Sequence, residues 1–415
     1  MESLPIHQSP APPGNSSSPL GMSAEAYVQA CMACNAKGAR PGALKRYSDL
    51  FRNGNLHDPL LTPWAAIKTD AGVAPPSWAP TVARTHVSEC SEGVVVKFTQ
   101  HVPGRRPGDP PLETESVLIP MIGKKGIRTY TLCLSSQVGC AMGCTFCQTA
   151  QMGLIRSLTP AEIVGQWFVA NHQILADPAF GLDTEAGITN VVFMGMGEPL
   201  DNLDNVLAAI EVLTDHRGVS LAMSKITVST VGRIDGIRKI NQKVQERGWH
   251  RLGFAVSLNA PNDEIRSSIM PINRAMPMRD LRAAILERPI HGGFKVCLEY
   301  VLIPGVNDQL AHAELLGDFV LGRGAYGAGS GDLGAGQPLP GLVNLIPYNP
   351  REGSPWPAPD ETLVDQFMTW LTEQGVYAKR RRTKGRDTMA ACGQLGNPAL
   401  RRKPRTSLTI GSTSQ

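Results

Sequence analysis

Hydrophobic positions along the 415-residue chain divide it into two parts. AEAYVQACMACNAKG and ALKRYSDLFRNG carry apolar residues at helical spacing, and EGVVVKFTQ then reads as a strand. VPGRRPGDPPL (102–112) is a loop by its Gly and Pro content, and ETESVLIP (113–120) returns to strand character. From residue 129 a strand-then-helix alternation begins. TYTLCLSSQV, ITNVVFMGM, KITVSTVG, RLGFAVSLNA, FKVCLEYVLI and GLVNLIPYN are short apolar strands with helical segments between most of them. TPAEIVGQWFVANHQIL (159–175) is one such helix, with Thr159 placed to cap it ahead of Pro160. DETLVDQFMTWLTEQG ends the series as a helix stopping at Gly375.

Alternating βα units predict an α/β fold with a parallel sheet and helices outside it. Six strands are too few for an eight-fold barrel and suit an open, partial (β/α)6 barrel. The polar motifs GMGEP, STVG, SLNAP and YNP fall at the strand ends, where barrels of this kind build their sites. The organisation expected is a disordered Pro/Ser tail (1–24), a small N-terminal accessory module (25–112), the barrel core (113–387) and a basic C-terminal segment (388–415). GRGAYGAGSGDLGAGQPLPG (322–341) has no phosphate-loop lysine and reads as a flexible surface insertion.

Composition adds limits. The N-terminus lacks a basic region and an apolar core, so it is not a secretory signal, and no apolar run approaches a membrane span. Nine irregularly spaced cysteines without a signal point to a reducing cytoplasm, with cysteines used for metal or chemistry. Net charge is only +4, but KRRRTKGR (379–386) and RRKPR (401–405) concentrate cations that attract phosphate; a solvated tail is the alternative.

The chemistry centres on CLSSQVGCAMGCTFC (133–147). Cys140, Cys144 and Cys147 form C-x3-C-x2-C, three thiolates from one loop. Zinc would need a fourth ligand from elsewhere, whereas a [4Fe–4S] cluster held by three cysteines keeps one iron open for a substrate or cofactor. Cys31-x2-Cys34 has no partner pair and is read as incidental; Cys90 and Cys297 carry no reading.

C-x3-C-x2-C after the first barrel strand resembles the radical-SAM signature. TLCLSSQVGC, NVVFMGMGEPLDN, SLNAPNDEIR, NLIPYNP and AACGQL, in order between about 113 and 395, are together similar to the radical-SAM family that methylates adenine C2 in 23S ribosomal RNA and transfer RNA. The resemblance implies one [4Fe–4S] cluster on Cys140, Cys144 and Cys147, with S-adenosylmethionine on its open iron. Gly197, Glu198, Ser229, Ser257, Leu258, Asn259 and Asn349 match the family's cofactor site. Gly195 and Gly197 allow close backbone approach, and Glu198 can accept from an ammonium.

The resemblance also assigns two reactive cysteines and a base. Adenine C2 is not nucleophilic, so the family first methylates a cysteine, here Cys392, by displacement at its thiolate. A second S-adenosylmethionine yields a 5′-deoxyadenosyl radical, which takes hydrogen from the S-methyl group, and the carbon then bonds to the base. Cys133 matches the cysteine that attacks Cys392 sulfur and releases the product as a transient disulfide forms. Glu115 aligns with the base that removes the C2 proton, with Glu113 nearby. Asn259 stands where the family commonly has His, and CQTAQMG replaces a CATG-like sequence. The implied partners are ribosomal or transfer RNA and an electron donor such as flavodoxin or ferredoxin, with no membrane and a monomeric chain. Methylation at adenine C8, a catalytically inactive RNA-binding iron–sulfur homologue, and a radical-SAM enzyme with a non-RNA substrate are the rivals.

Overall fold

The computed structural model describes residues 18–34, 39–58, 60–62, 78–123, 126–289, 295–331, 334–351, 353–382, 384–385 and 389–396. The basic block 401–405 and residues 1–17 of the expected tail lie outside them. The rest of that tail is structured: Pro19–Gly21 form a 3-10 turn and Leu20 is buried. Ser23 then caps α1 (Ala24–Ala33), its side chain accepting from the Ala26 N–H, and α2 (Ala39–Asn53) follows.

The main sheet opens with four antiparallel strands, β1 (Val82–Cys90), β2 (Gly93–Val102), β3 (Leu112–Ile122) and β4 (Arg128–Cys133). The sequence did not predict β1, an edge strand that is largely exposed. Two short strands outside the main sheet, β5 (Gln137–Val138) and β6 (Arg156–Ser157), pair with each other and tie the base of the cysteine loop.

From β4 the sheet runs parallel in chain order through β7 (Ile188–Phe193), β8 (Ile226–Thr230), β9 (Gly253–Ser257), β10 (Val296–Leu302), β11 (Gly341–Pro347) and β12 (Ala378–Arg380). The six predicted parallel strands are present, and β12 adds a seventh. Helices alternate with them: α3 (Pro160–Val169), α4 (Leu203–Thr214), α5 (Ile234–Lys243), α6 (Asp263–Ile269), α7 (Met278–Leu286), α8 (Leu310–Leu321) and α9 (Glu361–Glu373). Thr159 caps α3 as predicted, in a reciprocal box with Glu162. No described helix is long and apolar enough to cross a membrane.

The expected border at 112/113 is not a structural division. It falls within β3, whose pairing with β2 runs from Val96↔Leu118 to Val102↔Leu112. The first two helices also share the barrel's core. Tyr47 packs on Phe51, Phe51 lies 6.4 Å from Trp167, and His172 reaches the Phe51 carbonyl at 3.0 Å. The glycine-rich segment is likewise anchored rather than loose. Arg282 of α7 donates to the Gly334 and Gln337 carbonyls, and Tyr326 packs edge-on against Phe319 of α8.

Candidate functional site

The ends of β7 to β11 and the cysteine loop surround one cavity. Parallel strands bring this about: each ends on the same rim, so residues distant in sequence face one space. The loop is fixed on several sides. Cys140 N–H donates to the Gly153 carbonyl (3.2 Å), Thr145 N–H to Ile269 (2.9 Å), and Arg351 Nη2 to the Thr145 carbonyl (2.9 Å).

Cys140, Cys144 and Cys147 all line the cavity. Burial pushes the Cys140 and Cys144 thiols up, so a cation that binds thiolates is needed to ionise them. Among the described residues no three His, Cys, Asp or Glu side chains converge on one point as a single ion requires. Three thiols from one loop offer the donor set that iron–sulfur clusters take.

Glu198, also on the wall, is almost wholly buried. Its carboxylate accepts from the Leu200 N–H (3.0 Å) and the Val231 N–H (2.9 Å). Burial nevertheless pushes its pKa up to about 7. A carboxylate held this way has a strong preference for a cation in the cavity. Gly197 beside it has φ +99°, and a Cβ there would lie 2.6 Å from the Gln137 Cβ. The close approach glycine permits here is to the chain itself, which lets Gln137 Oε1 accept the Glu198 N–H at 2.9 Å.

Ser229, Ser257, Asn259 and Asn349 line the same cavity. Leu258 does not: its side chain is fully buried in the core. Leu258 directly follows the last residue of β9, and its N–H donates to the Glu299 carbonyl at 2.9 Å. Asn259 adopts a left-handed φ of 58°, and its Oδ1 accepts the Val301 N–H at 3.0 Å.

Sequence reasoning missed Glu299. It lies inside the barrel on β10 and lines the cavity; its Oε2 accepts from Ser229 Oγ (3.1 Å) and Ser257 Oγ (3.3 Å). Its other oxygen is 3.5 Å from Arg381 Nη1. The available signal was a lone acid within the apolar strand VCLEYVL.

Cys392 also lines the cavity, carried there by a loop tied to the barrel. Gln148 N–H donates to the Gly393 carbonyl (2.7 Å), Thr149 Oγ1 to Leu395 (2.5 Å), and Gln394 Nε2 to Pro350 (2.9 Å). Cys133, at the end of β4, is buried and does not line the cavity. It is near Cys392, however, whose charge disfavours its ionisation. Burial is the larger cause and pushes Cys133 up to about 12, with Arg381 opposing. Burial also raises Cys392, again opposed by Arg381. Both are free thiols.

Glu115 lies on β3, buried and off the cavity wall. Lys97 Nζ stands 3.2 Å from its Oε2 and donates to the Met389 carbonyl at 3.3 Å, joining Glu115 to the loop that bears Cys392. Glu113 instead pairs with Arg84 at 2.6 Å, on the exposed side.

A second cavity lies within the barrel, extending from its interior wall to the last basic strand, and meets the first at Cys392, which lines both. Thr131, Asn190, Thr227 and Asn344 line it from the strands, and Arg380, Arg381, Arg382 and Lys384 from the C-terminal side. The 379–386 block thus faces this cavity in part, although Arg380 also pairs with Glu361 and Asp365.

Residues 134–316 match the radical SAM superfamily model. The chain is 40% identical over 299 residues to a probable dual-specificity RNA methyltransferase RlmN 1 of Protochlamydia amoebophila, covering 72% of this chain and 74% of that one. It is 39% identical over 305 residues to a dual-specificity RNA methyltransferase RlmN of Phenylobacterium zucineum, covering 73% and 72%. The crystal structure of a radical SAM methyltransferase from Sphaerobacter thermophilus superposes with a TM-score of 0.70 at 30% identity, over 90% of this chain and 98% of that one.

Proposed function

The chain belongs to the RlmN family of radical SAM RNA methyltransferases, and on that premise we propose that it methylates C2 of an adenine in ribosomal or transfer RNA through Cys392. The observation that carries the reading is the position of Cys392, on the wall of both the thiolate-lined cavity and the cation-lined one.

Family membership implies a [4Fe–4S] cluster and S-adenosylmethionine. Cys140, Cys144 and Cys147 would hold the cluster, three ligands that leave one iron open. Bound there, the cluster supplies the electron that converts S-adenosylmethionine into a source of hydrogen-abstracting radical. The protein's own groups do the rest. Glu198 accepts the ammonium of S-adenosylmethionine. Ser229, Ser257, Asn259 and Asn349 offer small polar groups for its ribose and carboxylate, with Glu299 orienting the two serines.

The Cys392 sulfur takes a methyl group, and that carbon is later bonded to adenine C2. Cys133 then attacks the Cys392 sulfur. The S–S bond forms as the C–S bond breaks, its electron pair stays on the exocyclic carbon of the departing base, and a proton taken up there completes the methyl group. Arg381, beside both sulfurs, opposes the cost of the thiolate each must expose. Glu115, paired with Lys97 and tied through it to the loop that bears Cys392, is the residue that the family resemblance assigns as the base for the C2 proton. The rivals are less well served: RNA binding alone needs neither sulfur, and a non-RNA substrate does not call for the exposed Arg382 on the cavity rim. The enzyme works as a cytoplasmic monomer fed by a flavodoxin- or ferredoxin-type donor.

Anaerobic reconstitution with iron and sulfide, followed by incubation with RNA and S-adenosylmethionine, tests the reading. Mass spectrometry should find S-methylated Cys392 and 2-methyladenosine. Finding neither refutes it, and 8-methyladenosine transfers it to the C8 rival.

A further inference from the structure

The second cavity holds a polar group that the chemistry above does not use. Asn344 projects from β11 into the barrel interior, in register with Glu299 on β10 and Lys379 on β12. Its amide makes no hydrogen bond among the described residues, although the side chain is half-buried. Across the cavity Asn190 spends only one donor, on Thr189 Oγ1 at 3.1 Å, and Thr227 adds a hydroxyl. The cations Arg382 and Lys384 stand on the C-terminal side, and Cys392 lies where the cavity meets the cofactor side.

An amide is the side chain that pairs in two places with adenine, accepting from the N6 amino group and donating to N7. That edge lies across the purine from C2. A base gripped there points C2 away from the amide, and Cys392 on the wall of the same cavity can receive it. The same grip covers the flank of C8, which adjoins N7. Exposed Arg382 would hold a phosphate of a nucleotide turned out of its stack, whereas Lys384 is already paired with Glu92 at 3.0 Å.

We propose that the second cavity is the base-reading site, with Asn344 as the group that recognises the N6/N7 edge of the target adenine and fixes C2 rather than C8 as the methylated carbon. This rests on the RNA methyltransferase reading above.

The test uses the reconstituted full chain and an RNA substrate on which the wild-type enzyme is active. Asn344→Leu should retain S-methylation of Cys392, which needs no RNA, and lose roughly 10- to 100-fold in kcat/KM for RNA methylation. Wild-type enzyme given RNA with 7-deazaadenine at the target should show a similar loss, and the variant should be nearly indifferent to that change. Unchanged RNA methylation by the variant overturns the proposal. So does full wild-type activity on the 7-deaza substrate, a measurement independent of whether the variant folds. Loss of Cys392 S-methylation in a cluster-loaded variant would place Asn344 with the cofactor and also overturn it. If wild-type enzyme forms no methyladenosine on any RNA, it is the broader reading that has failed.

Discussion

The two cavities are built in different ways. The first is made of contiguous motifs: one loop brings three cysteines, and GMGEP, STVG and SLNAP each deliver a short polar group from a strand end. The second is made of single residues inside strands, Thr131, Asn190, Thr227 and Asn344, completed by the basic C-terminal segment. Cofactor chemistry needs several ligands on one rigid loop, which leaves a dense sequence signature. A wall that reads a base needs only alternate positions on separate strands, and these look like ordinary strand composition. Cys392 joins the two although it lies about 250 residues from the cysteine loop.

Breaking the first cavity should have the largest effect. Cys144→Ala would remove one of the three proposed cluster ligands, so iron content should fall and RNA methylation drop to background. Retained cluster and activity would remove Cys144 from the ligand set. Next is Glu198→Gln, which keeps the shape but loses the charge: affinity for S-adenosylmethionine should weaken by about 10- to 100-fold, the scale of a charged hydrogen bond. Equilibrium binding to the cluster-loaded protein reads it, and unchanged affinity would move the ammonium elsewhere.

Thiol reactivity separates the two cysteines at their junction. With the Cys133 pKa pushed up to about 12, its thiolate fraction between pH 7 and 9 is small and rises with pH. Alkylation mapped by mass spectrometry should therefore label exposed Cys34 first and Cys133 slowly, faster at pH 9 than at pH 7. Rapid labelling of Cys133 at pH 7 would contradict its burial. The smallest effect belongs to the second cavity's rim: Arg382→Ala should weaken RNA binding a few-fold and lower the salt slope by about one, with affinity for S-adenosylmethionine unchanged.

Much of the fold was legible because its signals are local. Alternating strands and helices gave the six parallel strands, and Thr159 gave the start of α3. β1 was not, because an exposed edge strand such as VARTHVSEC needs no apolar alternation. The accessory module read as separate since sequence cannot show that Phe51 meets Trp167. Within the site, Leu258 came with the SLNAP motif, and the sequence could not show that its side chain packs into the core. Glu299 and Lys97 were passed over, yet each is a lone charge in an apolar strand, and such a charge must find a buried partner.

The central claim is that Cys392 carries the carbon and Cys133 frees it. Cys133→Ala, reconstituted and incubated with RNA and S-adenosylmethionine, tests it most directly. A covalent protein–RNA adduct that mass spectrometry locates at Cys392, with little free methylated RNA, is expected. Multiple turnovers of free methyladenosine without an adduct would contradict it.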